Sequence, residues 1–168
     1  MADLLDRLPD LEEELEALGR ATLGLRGAVH DLRGEKERSL VKSVESLVEL
    51  NRRLAPDRNI DLVIEEGFPY GLPGEVEGEL LHVIREALTN ARQHSGAKSV
   101  AVTLKVEGSD VVAEISDDGQ GFALEGTPGV GLSSMQERAA IVDGRLEIES
   151  EVGQGTSVRL RVPVPQTE

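Results

Sequence analysis

Cysteine is absent from this chain, which excludes a disulfide framework and any thiolate metal site. Tryptophan is absent too, and Phe68, Tyr70 and Phe122 are the whole aromatic supply. Stacking platforms for nucleic-acid bases are therefore scarce. No apolar run approaches the roughly 18 to 20 residues of a membrane span, and no charged-then-apolar leader opens the sequence; the expected compartment is the cytoplasm. Basic residues are outnumbered, 18 against 32 acidic ones, for a formal net charge of −14. Such a field disfavours a nucleic-acid partner, and an anionic ligand must be held locally, by a divalent cation and a few nearby basic groups. The 168 residues suffice for one domain with a full core plus an appendage, and are too few for two large domains.

Apolar residues fall at Leu4, Leu8, Leu11, Leu15, Leu18, Leu25, Val29 and Leu32, a heptad seam that favours association with another helix. Pro9 interrupts it, and Asp10, Glu12, Glu13 and Glu14 suit a helix N-terminus, so the expectation is a long helix from about Asp10 to Arg33 after the stub of an earlier one. A second amphipathic helix is expected from about Glu37 to Leu54, burying Leu40, Val41, Val44, Leu47, Val48 and Leu54. Ile60, Leu62 and Ile64 mark a short strand at or near a sheet edge. Val100, Val102, Leu104 and Val106 alternate as a strand, Gly108-Ser109-Asp110 turns it into Val111 to Ser116, and the pair should be antiparallel. A helix opens at Gly129-Val130-Gly131-Leu132, with Leu132, Met135, Ala139 and Val142 inward. Arg145 to Ser150 and Ser157 to Val162 form a terminal hairpin. This order implies an α+β fold: one mixed, mostly antiparallel sheet with helices on a single face.

The central stretch is Leu80 to Ser95. Leu80, Val83, Ile84, Ala87, Leu88 and Ala91 share one helical face, the mark of a helix pressed on a core. Beside that stripe Glu86, Asn90 and His94 stand four residues apart and form a polar line. A carboxylate, a carboxamide and an imidazole so aligned can hold a metal ion, orient a nucleophile or touch a phosphate; they can equally be a solvated face. Two glycine-bearing loops downstream favour the chemical reading: Asp117-Asp118-Gly119-Gln120-Gly121 at a strand end, and Gly129-Val130-Gly131 before a helix.

In this order the three features resemble the N, G1 and G2 boxes of the Bergerat-fold ATPases, a superfamily that includes gyrase, mismatch-repair ATPases and sensor histidine kinases. The segments REALTNARQHS, DDGQGF, GVGLSSMQERA and GQGTSVRLRVP are similar to sensor histidine kinases of the nitrate-sensor type, and the likeness runs from the helix ending VHDLR to Pro163. The resemblance implies a two-layer α/β sandwich that binds ATP with Mg²⁺. By it, Asp117 accepts a hydrogen bond from the adenine exocyclic amine while Gly119 and Gly121 let the backbone approach the base. Asn90 is the magnesium ligand, a reasonable role for one carboxamide beside phosphates and water. Glu86 is the catalytic acid of the N box, a base or nucleophile-orienting group, and His94 a basic position near the phosphates. Arg92 and Lys98 add local positive character. Gly129 and Gly131 form the lid hinge, the helix opening at Leu132 points its N–H groups toward the phosphates, and Thr156 supplies the hydroxyl of the third glycine box. Asp118 is a secondary contact or a loop charge, Phe122 is expected in the core, and His82 is expected as a packed histidine.

Such kinases carry a phosphoacceptor histidine upstream of the nucleotide domain. His30-Asp31 invites that role, yet VHDLR better resembles the end of the second dimerisation helix. The expectation is that residues 1–34 are the C-terminal part of the dimerisation region, that residues 35–168 are the ATP-binding domain, and that the acceptor lies upstream. The implied function is transfer of the γ-phosphoryl group of Mg-ATP to a histidine, with a response regulator and a second copy of the chain as partners. Alternatives are a serine kinase of the anti-sigma type and a non-catalytic nucleotide-sensing dimerisation module.

Overall fold

The structure, a computed structural model, describes residues 40–125 and 129–164. The expected helix over Asp10 to Arg33, the stub before it, His30 and the boundary at residue 34 lie outside the described residues. Helix α1 (Leu40–Leu54) buries Leu40, Val41, Val44 and Val48. Its last buried position is Asn51 rather than the expected Leu54, which is 55% exposed. At 100° per residue, position 54 has rotated roughly a quarter-turn off the stripe, whereas 51 stays on it. Asn51 meets burial by donating its side-chain N–H to the Leu47 carbonyl at 2.9 Å.

Strand β1 (Asn59–Ile64) is an edge strand, as its length suggested, and pairs in parallel with β2 (Ser99–Glu107). Between them runs α2 (Gly74–Gln93), which begins before Leu80, ends with His94 as its C-cap, and buries all six residues of the expected stripe. A tight turn at Gly108-Ser109 leads from β2 into the antiparallel β3 (Asp110–Asp117). Helix α3 (Val130–Ile141) buries Met135 and Ala139. The chain then forms β4 (Arg145–Glu151) and β5 (Gly155–Pro163), and β5 inserts between β3 and β4, giving the order β1-β2-β3-β5-β4. Among the described residues only the β1–β2 pairing is parallel.

Alternation assigns the two sheet faces. Val100, Val102, Leu104, Ala113, Ile115, Val158, Leu160 and Val162 join the helices in one core, with α1 against β1, α2 over β3 and β5, and α3 against β4. The opposite face carries Lys105, Glu114, Arg159 and Arg161. There Lys105 pairs with Glu114 at 3.1 Å and with Glu107 at 3.3 Å, and Glu107 also meets Arg159 and Arg161. Val112 lies on this polar face between Lys105 and Arg161 and is nonetheless fully buried, as expected where long charged side chains lay their stems over an apolar neighbour.

Candidate functional site

The site assembles where α2 ends. Ser95, just past the C-cap, is buried; its hydroxyl donates to the Ala91 carbonyl at 2.6 Å and accepts from the Ala97 amide at 3.0 Å. Arg58 reaches across from the loop before β1 and donates to the carbonyls of Ala91 and Arg92 at 2.8 and 2.7 Å. A cation on the last carbonyls of a helix stabilises that end and answers its partial negative charge.

Against this end packs the loop that leaves β3. Gln120 donates its amide to the Ser95 carbonyl at 2.7 Å and its side-chain N–H to the His94 carbonyl at 2.7 Å, and accepts from the Gly153 amide at 2.6 Å. Asp118 is not among the cavity's walls. Its carboxylate takes the amides of Lys98 and Ser99 at 2.8 and 2.9 Å, which holds it below the usual carboxylate range and fastens the loop to the start of β2. Gly119 and Gly121 make room for protein rather than only for a ligand. A Cβ on Gly119 would stand 2.4 Å from the Ser95 carbonyl oxygen, and one on Gly121, at φ +60, would stand 2.1 Å from that of Glu151.

A cavity of about 490 Å³ opens between α2, the ends of β3 and β5, this loop and the first turn of α3. Asn90 and His94 reach it from α2, and Gly129, Gly131 and Leu132 from α3. On the floor, Ile115 pairs with Val158 across the strands and Asp117 pairs with Thr156. Loss of water pushes the Asp117 carboxyl above its usual value, an effect opposed by the Gly119 amide, which donates to it at 2.8 Å. The polar end of the floor is thus a carboxylate that water no longer fully satisfies.

Two expected site residues stand outside the cavity walls. Gly119 is closed against Ser95. Glu86 lies one shell back, its Oε1 2.4 Å from where a Cβ on Gly131 would be, which puts a carboxylate beside the opening turn of α3. Gly129 caps α3 without a side-chain hydrogen bond, so the first N–H groups of the helix have no intrahelical partner. Glu79 and Arg138, 3.6 Å apart, join α2 to α3.

Other expectations are corrected. Phe122 is half-buried and lines the cavity rather than filling the core, because its amide is tied to the Ser150 hydroxyl at the rim, 2.9 Å away. His82 is exposed rather than packed; partial desolvation and the nearby Arg138 and Arg85 hold its imidazole below the usual value. Arg92 and Lys98 are not among the cavity's walls. Sequence reasoning missed Ser95, Gln120, Ile115 and Val158. The two apolar residues were readable as the neighbours, two positions along each strand, of Asp117 and Thr156; Ser95 and Gln120 join through contacts between distant segments that no spacing displays.

The family model for "Histidine kinase-, DNA gyrase B-, and HSP90-like ATPase" matches residues 75–166, more than half of the chain. The chain belongs to this ATPase family. Over 93 residues the domain is 39% identical to the oxygen sensor histidine kinase NreB of Staphylococcus carnosus, an alignment that covers 54% of this chain and 27% of that protein. The chain thus spans about a quarter of that relative's length. Among solved structures, the ATPase domain is similar to the histidine kinase domain of a blue-light activated histidine kinase from Erythrobacter litoralis (TM-score 0.68, 18% identity, 80% of this chain and 67% of that one). It is also similar to the mycobacterial sensor histidine kinase MprB (TM-score 0.60, 19% identity, 77% and 97%). At these identities the two structures speak for the fold, an α+β sheet with helices on one face.

Proposed function

We propose that this ATPase-family domain is the nucleotide-binding part of a bacterial two-component sensor histidine kinase, and that it presents Mg-ATP for transfer of the γ-phosphoryl group to a histidine of the dimerisation helices. The observation that carries the reading is the shared cavity. Asn90, His94, Asp117, Thr156 and the opening turn of α3 all face one volume of about 490 Å³, a size suited to a bound small molecule. The kinship with NreB points the same way, and favours neither a serine kinase nor a non-catalytic module.

In this reading Asp117 accepts from the exocyclic amine of adenine, whose place in guanine is taken by a carbonyl, and Ile115 and Val158 bed the base. The N–H groups of the opening turn at Gly131 and Leu132, which have no partner within the helix, and the His94 imidazole receive the phosphates. Among the described residues no group of three or more His, Asp or Glu is placed to hold a metal. One carboxamide oxygen from Asn90, with Glu86 behind it, nevertheless fits a hard cation that takes its other oxygens from phosphates and water. Mg²⁺ there would neutralise charge developing on the transferred group. Glu86 polarises or orients the attacking nucleophile. Few further side chains are needed, because phosphoryl transfer depends mainly on positioning and charge. A second copy of the chain, associated through the N-terminal helices, and a response regulator are the proposed protein partners, and the cytoplasm the proposed compartment.

The test is calorimetric titration with ATP and GTP, each with and without Mg²⁺, followed by incubation of the γ-labelled nucleotide with a helix pair bearing an acceptor histidine. Magnesium-dependent preference for ATP and acid-labile label on the acceptor are expected. Equal affinity for both nucleotides, or acid-stable label, would reject the proposal.

A further inference from the structure

Three polar contacts at the rim of the cavity converge on Ser150, a β4 residue that is not itself among the walls. The Phe122 amide donates to Ser150 Oγ at 2.9 Å, and that oxygen stands 3.1 Å from the Gly155 carbonyl oxygen and 2.9 Å from Thr156 Oγ1. A hydroxyl has one hydrogen and two lone pairs, and a carbonyl only accepts. All three contacts are hydrogen bonds in a single arrangement. Ser150 gives its hydrogen to Gly155, one lone pair takes the Phe122 amide, and the other takes the hydroxyl hydrogen of Thr156.

With that hydrogen committed, Thr156 can offer the cavity only lone pairs. Its direct partner across the strands is Asp117, which as a carboxylate also only accepts. We propose that Ser150 is a positioning residue for base selection. It keeps Thr156 as a second acceptor beside Asp117, so that the pair receives both hydrogens of an exocyclic amino group and repels a carbonyl in the same place. The preference for a 6-aminopurine over a 6-oxopurine is then set by three residues on three strands, not by Asp117 alone. The inference rests on the reading of this cavity as a purine nucleotide site.

The experiment measures dissociation constants for Mg-ATP and Mg-ITP with the wild type, Ser150→Ala, Ser150→Thr, Thr156→Val and the double variant. Wild type should prefer ATP. Ser150→Ala, which frees the Thr156 hydrogen to face a carbonyl, should reduce the ATP-to-ITP preference by about three- to tenfold, and Ser150→Thr should restore it. Adding Ser150→Ala to Thr156→Val should change the preference no further, since the two act through one hydrogen bond. A Ser150 that merely supported the fold would weaken both nucleotides alike. An unchanged preference in folded Ser150→Ala, or a further loss in the double variant, overturns the inference while leaving the nucleotide site standing. Binding of neither nucleotide by the wild type overturns the site itself. Should Ser150→Ala fail to fold, Ser150→Cys, with its weak donor and acceptor, takes its place: an intermediate preference supports the inference and a wild-type preference overturns it.

Discussion

Asp117 illustrates how a carboxyl on the cavity floor weighs on the fold that carries it. Its carboxyl is pushed upward by loss of water, so the folded chain binds a proton there more tightly than the unfolded chain. That contribution is fully present below the unfolded pKa and is lost as pH rises through the higher folded one. At neutral pH the ionised group therefore works against the ligand-free fold. Asp117→Asn should abolish ATP binding in calorimetry, and in denaturant unfolding without ligand it should be at least as stable as wild type at pH 7, with the difference closing as the pH falls below the unfolded carboxylate range. A variant that is markedly less stable at pH 7 would argue that the carboxylate holds the loop rather than a ligand. Gly119 is the converse case. A Cβ there meets the backbone of Ser95 at 2.4 Å, and backbone cannot swing aside as a side-chain tip can. Gly119→Ala should lower stability by about 1–3 kcal/mol, read as a fall in the denaturation midpoint, even though no nucleotide is present.

At the scale of elements, α2 is both the middle of the core and the carrier of the polar line. Ile84 is fully buried beneath it, and Ile84→Ala should cost about 2–5 kcal/mol in unfolding free energy. The helix end is a separate question, because His94 and Ser95 occupy the cavity only if the helix stops where it does. Arg58 is one clamp on that end, through the carbonyls of Ala91 and Arg92. Arg58→Ala should destabilise by about 1–2 kcal/mol and weaken Mg-ATP binding more than an equally destabilising core change such as Val48→Ala. Equal affinity in the two variants would show that the end of α2 is held by other contacts.

For the whole molecule the net charge of −14 opposes an anionic nucleotide until the ligand is within reach of the N-terminus of α3. Salt screens exposed charges over about 10 Å at 0.1 M. The association rate of Mg-ATP in stopped flow should therefore rise, by about twofold or more, between ~0.01 M and ~0.15 M salt. A falling rate would mean that a local positive field steers the ligand and that overall charge is irrelevant to capture.

Local pattern carried much of this. The stripe Leu80 to Ala91, the alternating strands, the hairpin at Gly108 and the α+β order are consequences of periodicity and turn chemistry, which act between near neighbours and so are written in the sequence. The polar line and the two glycine loops were legible for the same reason. Contacts made by the path of the chain were not: Phe122 drawn to the rim by Ser150, Asp118 spent on the start of β2, and Gly119 closed on Ser95. Such pairings join residues 20 or more positions apart, as with Asp118 and Lys98, and they exist only once segments distant along the chain have been folded side by side. Sequence alone determined which residues have the chemistry of a nucleotide site; tertiary structure decided which of them face the cavity and which hold its walls, because that division depends on donors and acceptors meeting across strands rather than along one.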